Sequence, residues 1–494
     1  MHQRRPQRFQ FDTLTVDRGD SLSLHRQLES QLREAIQSGR LRPGEKIPST
    51  RDLCRQLQIA RNTVAAAYEQ LLVEGYLEAE IGSGTRVSQQ LPEQPPPSTA
   101  RETAASLGSR RRLAKRAESV SRFTDWAPRV ITPPQPFRPH APDIAHFPRG
   151  VWQRLADRRM RRLPRLTFLG VDPAGYAPLR SAIAAYLGAS RGVTCSAEQI
   201  VVTSGVQQGL ELIARLLLDP GDSFWLEEPG YYPTWHAFTS QGAIGAAVPV
   251  DQQGIDVEAG ERLCPNARLA YVTPSVQWPA GMTMSLPRRL QLLDWAKRQD
   301  AWVIEDDYVG EFRFAGRPQQ ALAALDQHQS VIYLGTFSKV LFPGLRLGYL
   351  ALPPSLAAPF ATSRWLADRH SPIFEQATLT DFIEEGHFAR HLRRMRKLYA
   401  QRQATMFAAL DQAFGSEIRF ARHEAGLHVV VQASDARQNR RLQQAAEDAG
   451  IEHHPVSAYS TSRRRTPGLI LGFAPFDEGQ IAEGAQNWAK RFFR

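Results

Sequence analysis

Cysteine is scarce in this chain. There are three in 494 residues (Cys54, Cys195 and Cys264), an odd number with no CxxC spacing. That excludes a disulfide framework and a thiolate zinc site, and it fits a reducing compartment, so a cytoplasmic location is expected. The thirteen histidines lack metal-ligand spacing; the one adjacent pair, His453–His454, reads as surface, and no metal is expected. Long apolar runs are missing as well. Without about eighteen consecutive apolar residues nothing spans a membrane, and the basic start MHQRRPQRFQFD lacks the apolar core of a secretory signal. Large apolar side chains are few between 89 and 135, where PEQPPPSTA and RRRLAKR stand. Such a segment cannot bury a core and reads as a flexible linker, stiffer near its prolines. Acidic residues are outnumbered, 50 against 61 Lys and Arg, for a net charge of +11 that favours a polyanionic partner. Much of the excess is local, at 110–116, 158–165 and 390–397. The last two clusters read as solvated helix faces; a phosphate-contacting role is expected of the first.

The rest of the composition is globular, with 42% hydrophobic and 22% charged residues, and the length suggests two or three domains. The textures divide it into a helical unit at 20–88, the linker at 89–135, and a large α/β unit at 136–494.

In the first unit Leu24, Leu28, Leu32 and Ile36 repeat at helical spacing, and Gly39 stops the run. RPGEKIPS is a turn, and Ser49 with Asp52 forms a near capping box for a second helix through Leu57. QIARNTV is a tight joint, and Asn62 or Thr63 starts a third helix with Val64, Tyr68, Leu71 and Leu72 inward. A short wing, Ile81–Val87, follows in GSGTRVS. In a helix–turn–helix the second helix enters the major groove with its first residues at the base edges. Ser49, Arg51, Arg61, Asn62, Thr63 and Gly84 are therefore the candidate DNA contacts; Arg suits guanine and phosphate, Asn suits adenine. The run PGEKIPSTRDLCRQLQIARNTVAAAYEQLLVEGYL, 43–77, resembles the GntR-family winged helix–turn–helix.

Beyond about 140, QIVVTSG, DSFWLEEP, ARLAYVTPS, AWVIEDDY, SVIYLGT and LRLGYLAL read as buried strands of a mostly parallel sheet. Helices such as 177–190 and 206–218 lie between them and are expected on both sheet faces. Four local patterns then carry chemistry. GTFSKVLFPGLRLGY holds one lysine, Lys339, near Thr336 and Ser338 and seven residues before Arg346. A desolvated lysine can hold an aldehyde as a Schiff base. The usual aldehyde, pyridoxal phosphate, also needs a dianion site, a carboxylate for its ring nitrogen and packing for the ring. TSGVQQGL, with Gly205, Val206 and Gln207, is a strand–turn–helix junction whose free N–H groups can cradle phosphate. IEDDY brings Glu305, Asp306 and Asp307 to a strand end, where three acids call for a cationic partner. EEPGYY places Tyr231 where it can stack on a ring.

Together and in this order, these motifs make residues 137–494 resemble a fold-type I aminotransferase with a smaller C-terminal α+β subdomain. Behind a GntR-type reader, the whole resembles the MocR/GabR family of bacterial transcriptional regulators. The resemblance implies that Lys339 forms the internal aldimine with pyridoxal 5'-phosphate and that Asp306 pairs with the pyridine nitrogen. It implies that Tyr308 bonds the ring hydroxyl, Tyr231 stacks on the ring, and Thr336, Arg346, Gly205, Val206 and Gln207 hold the phosphate, with Ser338 a further donor beside the lysine. It implies a homodimer that binds double-stranded DNA and senses an amino compound or the cofactor itself. Departures in two motifs bear on activity. PSVQW puts Val276 where the family usually has histidine, and Trp278 precedes Pro279 where aminotransferases carry Asn-Pro. LILGFA puts Ile470 where an arginine grips the substrate carboxylate. Both make cofactor holding a better expectation than full transamination, the alternative being an active aminotransferase with a tethered reader.

Overall fold

The computed structural model describes residues 9–80, 83–92, 135–316, 319–461 and 466–494. It divides into two compact units, Met1–Arg112 and Leu113–Arg494. The expected linker (but for its first four residues and its last), with its basic cluster at 110–116, lies outside the described residues, as do Ile81 and Gly82 of the wing.

The first unit has three helices, α1 (Leu24–Gln37), α2 (Thr50–Leu57) and α3 (Arg61–Val73), then a hairpin of β1 (Leu77–Glu80) and β2 (Gly84–Val87). Leu28, Leu32, Leu53, Val64, Tyr68 and Leu71 meet in one core. Ser49 caps α2, its hydroxyl accepting from the Asp52 amide at 3.2 Å. α3 opens at Arg61, ahead of the expected Asn62 or Thr63. The extended Ala60 is its N-cap with no side-chain bond, and its carbonyl already accepts from the Thr63 amide at 3.0 Å. The wing also begins earlier than expected, because Leu77 pairs with Val87 and Glu80 with Gly84.

The second unit is built on an eight-stranded sheet in the order β3-β10-β9-β8-β7-β4-β5-β6. Its strands are β3 (Ile200–Thr203), β4 (Ser223–Glu228), β5 (Ile244–Asp251), β6 (Gly254–Ile255), β7 (Leu269–Val272), β8 (Trp302–Asp307), β9 (Val331–Thr336) and β10 (Gly348–Ala351). All six expected strands are present. β5 and β6 were not expected: IGAAVPVD carries small residues and a proline, a weak strand signal. β4, β5, β7, β8 and β9 are parallel; β10 runs antiparallel to both neighbours. The link from β9 to β10 is too short for the crossover that a parallel pair needs.

Alternation along the buried strands feeds apolar cores on both faces. Leu226, Tyr271, Ile304 and Ile332 pack with helix Val206–Leu217. Trp225, Val272, Val303 and Val331 pack with helix Leu286–Gln299. The C-terminal part has a four-stranded antiparallel sheet, β11 (Arg419–Phe420), β12 (His428–Gln432), β14 (Gly468–Gly472) and β13 (His454–Pro455), in that order. Helices Ala436–Asp448 and Glu478–Phe492 pack with it, the expected smaller α+β part.

Ahead of the sheet runs a strap, residues 135–143. Pro136 and Phe137 carbonyls accept from the Glu452 and Gly472 amides at 2.9 and 2.8 Å. Phe137 and His140 hold left-handed backbone, φ 68° and 65°, which costs of order 1–3 kcal/mol each and persists only where the surroundings impose it.

The cluster at 158–165 is a solvated face only in part: Arg161, Arg162 and Arg165 are exposed, whereas the first two arginines are paired. Arg158 and Arg159 both pair with the largely buried Asp381, and Arg158 also with Glu385. Among the described residues no helix is long and apolar enough to cross a membrane.

Candidate cofactor site and nucleic-acid interface

Strand ends converge at the carboxyl edge of the sheet, where ligands collect in α/β folds. A cavity of about 370 Å³ opens there. Lys339, Asp306, Tyr308, Tyr231, Val206, Gln207, Thr336, Ser338 and Arg346 all line it. Gly205 is the N-cap residue at its margin.

The three acids of IEDDY do not share one site, contrary to expectation. Side chains alternate along a strand, so Asp306 faces the cavity while its neighbours face away. Glu305 accepts from the Leu322 and Ala323 amides at 2.7 and 2.8 Å. Asp307 pairs with Arg191 at 2.6 Å and accepts from the Tyr333 hydroxyl at 2.6 Å. Asp306 alone faces Lys339 across the cavity. Its Oδ2 accepts from the buried Tyr271 hydroxyl, whereas its Oδ1 is buried with no hydrogen-bond partner among the described residues. Burial raises this carboxyl to about 7, against the opposing Tyr271 bond.

Lys339 is half-buried, and desolvation lowers its amine to about 8, the Asp306 charge opposing. Its Nζ donates to the His140 carbonyl at 2.8 Å. The Tyr308 hydroxyl is buried with no partner among the described residues. Tyr231 lies nearly parallel to Tyr271, ring centroids 6.5 Å apart, and burial pushes its hydroxyl up to about 12.

The phosphate-type corner is built from backbone. Gly205 has φ 91° and ψ 175°, a conformation essentially limited to glycine, and it opens helix Val206–Leu217 with free N–H groups. A Cβ at Gly205 would meet Arg346 at 3.0 Å. The Arg346 Nη2 donates to the Ser204 carbonyl at 2.9 Å, and the Thr336 hydroxyl oxygen accepts from the Ser338 amide at 3.1 Å. The site therefore combines a dianion cradle, an amine, an orphaned carboxylate oxygen and an orphaned phenol. Those are the groups pyridoxal phosphate requires.

Five further residues of the wall were missed in the sequence. Tyr271 lies mid-strand, His140 on the strap, and Tyr459 on a 3-10 turn after β13, none with a local signal. Trp278 stands in the sequence only as a departure from the Asn-Pro element. His454, read as surface, is instead half-buried in the wall, its Nδ1 2.7 Å from the Tyr459 hydroxyl. The adjacent histidine pair was the one signal that could have found it.

In the first unit Arg51, Arg61 and Asn62 are exposed at the openings of α2 and α3, with Thr63 half-buried beside them. Gly84 is exposed at the start of β2. Ser49 spends its hydroxyl on the cap and on the Asp52 carboxylate at 2.6 Å, so its first task is structural.

Comparison with known proteins agrees with this division. Residues 149–468 match the family model "Aminotransferase class I and II", and residues 24–87 match "Bacterial regulatory proteins, gntR family". The chain is 39% identical to the probable rhizopine catabolism regulatory protein MocR of Rhizobium meliloti, over 97% of this chain and 96% of that one. It is 30% identical to the HTH-type pyridoxine biosynthesis transcriptional regulator PdxR of Corynebacterium glutamicum, over 93% and 94%. Among solved structures it is similar to the alpha-aminoadipate aminotransferase LysN of Thermus thermophilus, complexed with N-(5'-phosphopyridoxyl)-L-leucine. There the TM-score is 0.69 at 28% identity, over 77% of this chain and 97% of that chain.

Proposed function

Because this chain belongs to the MocR family of GntR-type regulators with an aminotransferase-like domain, we propose that its cavity converts the binding of an amino effector into a change in DNA binding. The protein is a pyridoxal phosphate-dependent transcriptional regulator. One observation carries the residue-level reading: among the described residues, Asp306 Oδ1 and the Tyr308 hydroxyl stand buried without a partner in the same cavity as Lys339.

Bound there, pyridoxal phosphate supplies an aldehyde that condenses reversibly with primary amines. Asp306 would hold the ring nitrogen in its protonated form, Tyr308 the ring hydroxyl, and Tyr231 one ring face. Gly205, Val206, Gln207, Thr336, Ser338 and Arg346 would hold the phosphate. Lys339 is the resident amine. Burial lowers its pKa to about 8, so more of it is unprotonated at neutral pH than of an ordinary lysine. An effector amine competes with Lys339 for the same carbon, and only an effector with unequal affinity for two states of the protein shifts DNA binding. A coupling on the order of 1–3 kcal/mol suffices for regulation. Arg51, Arg61, Asn62, Thr63 and Gly84 would meet the duplex. We also take the working unit to be a homodimer; exposed Phe168 (55%) and Leu169 (86%) are the kind of apolar surface that a partner covers.

The test is selection of DNA sequences by the purified full-length protein, with and without pyridoxal phosphate, beside Lys339→Ala. The reading expects sequence-preferring binding that responds to cofactor and amine in the wild type, and loss of both visible absorption and response in Lys339→Ala. No sequence preference, or a Lys339→Ala protein that behaves as wild type, overturns it. Keto acid released at catalytic rates would instead mark a working aminotransferase.

A further inference from the structure

The wall of the cavity contributed by the strap and the C-terminal part is polar but uncharged. His140 lies against Trp278 with ring centroids 3.8 Å apart and planes tilted by 37°, and its Nε2 lies 3.2 Å from the Tyr459 hydroxyl. That same hydroxyl is 2.7 Å from His454 Nδ1. Burial lowers both imidazoles, His140 well below the ordinary histidine value, so neither carries charge at neutral pH. Trp278 is 2% exposed, and its Nε1–H is buried with no acceptor among the described residues. Behind this wall Ile470 is fully buried on β14, packed with Trp278, Val456 and Tyr459. Among the described residues that line the cavity, the cations are Lys339 and Arg346, and the cofactor reading uses both.

Among the described residues, a carboxylate against this wall would give up its water for dipoles, with no counter-charge beyond the two cations that the cofactor reading uses, an unfavourable exchange. Hydroxyl oxygens suit the same wall: they accept from the Trp278 N–H and can both donate to and accept from imidazole and phenol. We propose that the effector is a primary amine without a carboxylate, whose remaining polar groups are neutral oxygens, read by Trp278, His140, His454 and Tyr459. This rests on the cavity being the pyridoxal phosphate site.

Serinol (2-amino-1,3-propanediol) and L-serine are matched probes, since one carries a hydroxymethyl group where the other carries its carboxylate. Each is titrated into full-length protein loaded with pyridoxal phosphate, followed by visible absorption and by calorimetry. Serinol should bind at least ten-fold more tightly than L-serine. Trp278→Phe, which removes the N–H together with part of the ring, should narrow that ratio by weakening serinol, while Ile470→Arg should reverse it. Should Ile470→Arg fail to fold, Trp278→Phe still decides. L-serine binding as tightly as serinol, no saturable response to serinol in a loaded protein, or an unchanged ratio in Trp278→Phe overturns the proposal. A protein that takes up no pyridoxal phosphate overturns the cofactor reading instead, and this one with it.

Discussion

Replacing Asp306 by Asn tests the site where its geometry is most demanding. The side chain is 4% exposed, with one oxygen held by Tyr271 and the other free of any partner among the described residues. Asn keeps the shape and one acceptor but loses the charge. A hydrogen bond involving a charged group contributes about 1.5–3 kcal/mol net. At about 1.4 kcal/mol per decade, affinity for pyridoxal phosphate should fall about 10- to 150-fold. Equilibrium dialysis of the cofactor-free protein, with absorbance as a second readout, measures this directly. Tyr271→Phe is the control: it leaves the carboxylate in place and removes only its orienting partner, so its loss should be smaller. The fold should not suffer, because Asn removes a carboxyl that burial already disfavours as a charge. Thermal melting of cofactor-free Asp306→Asn should match or exceed wild type. Affinity within two-fold of wild type, in a protein that melts normally, would refute the assignment of Asp306 to the ring nitrogen.

Gly205→Ala forces a Cβ into a glycine-only conformation 3.0 Å from Arg346. It should cost about 1–3 kcal/mol in urea unfolding, with weaker cofactor uptake. Glu227 and Asp306, both raised to about 7 by burial, bind protons more tightly folded than unfolded. Their contribution to stability is full below the ordinary carboxylate range and is lost as pH rises through about 7. Cofactor-free protein should therefore melt lower as pH rises over that window, and Asp306→Asn should flatten the slope; a melting point that climbs there in both proteins would contradict the sign. At the DNA surface Arg61→Ala should weaken specific binding by about 1–3 kcal/mol or lower the salt slope by about one, depending on whether it meets base or phosphate. In a fluorescence titration with labelled duplex that measures both variants, Arg158→Ala, whose partners are Asp381 and Glu385, should leave DNA affinity unchanged.

How much of this was legible in the sequence depended on distance along the chain. Lys339, Asp306, Tyr231 and the TSGVQQ turn each sit in a short strand–loop motif, and parallel strands deliver their carboxyl ends to one edge whatever the details of packing. The reader was legible because periodicity and a cap mark each helix. The division of labour in IEDDY was not read, although strict alternation would have separated Asp306 from Glu305 and Asp307. The neutral wall was hidden for a different reason. His140 and Tyr459 hydrogen-bond at 3.2 Å across a sequence separation of 319 residues, and no local pattern announces such a meeting. β5 was missed because small residues and Pro249 weaken the strand signal, while pairing along all of β4 supplies what propensity lacks.

The strap has one more consequence. His140 is both a surface the effector would touch and part of the short run of backbone by which the large unit holds its amino-terminal end. Pro136 and Phe137, three or four residues away, are pinned to Glu452 and Gly472, so displacement at His140 meets a fixed point almost at once. Detector and mooring are thus one piece of polypeptide. An effector that displaced His140 would meet those two hydrogen bonds before the chain that leads back to the reader.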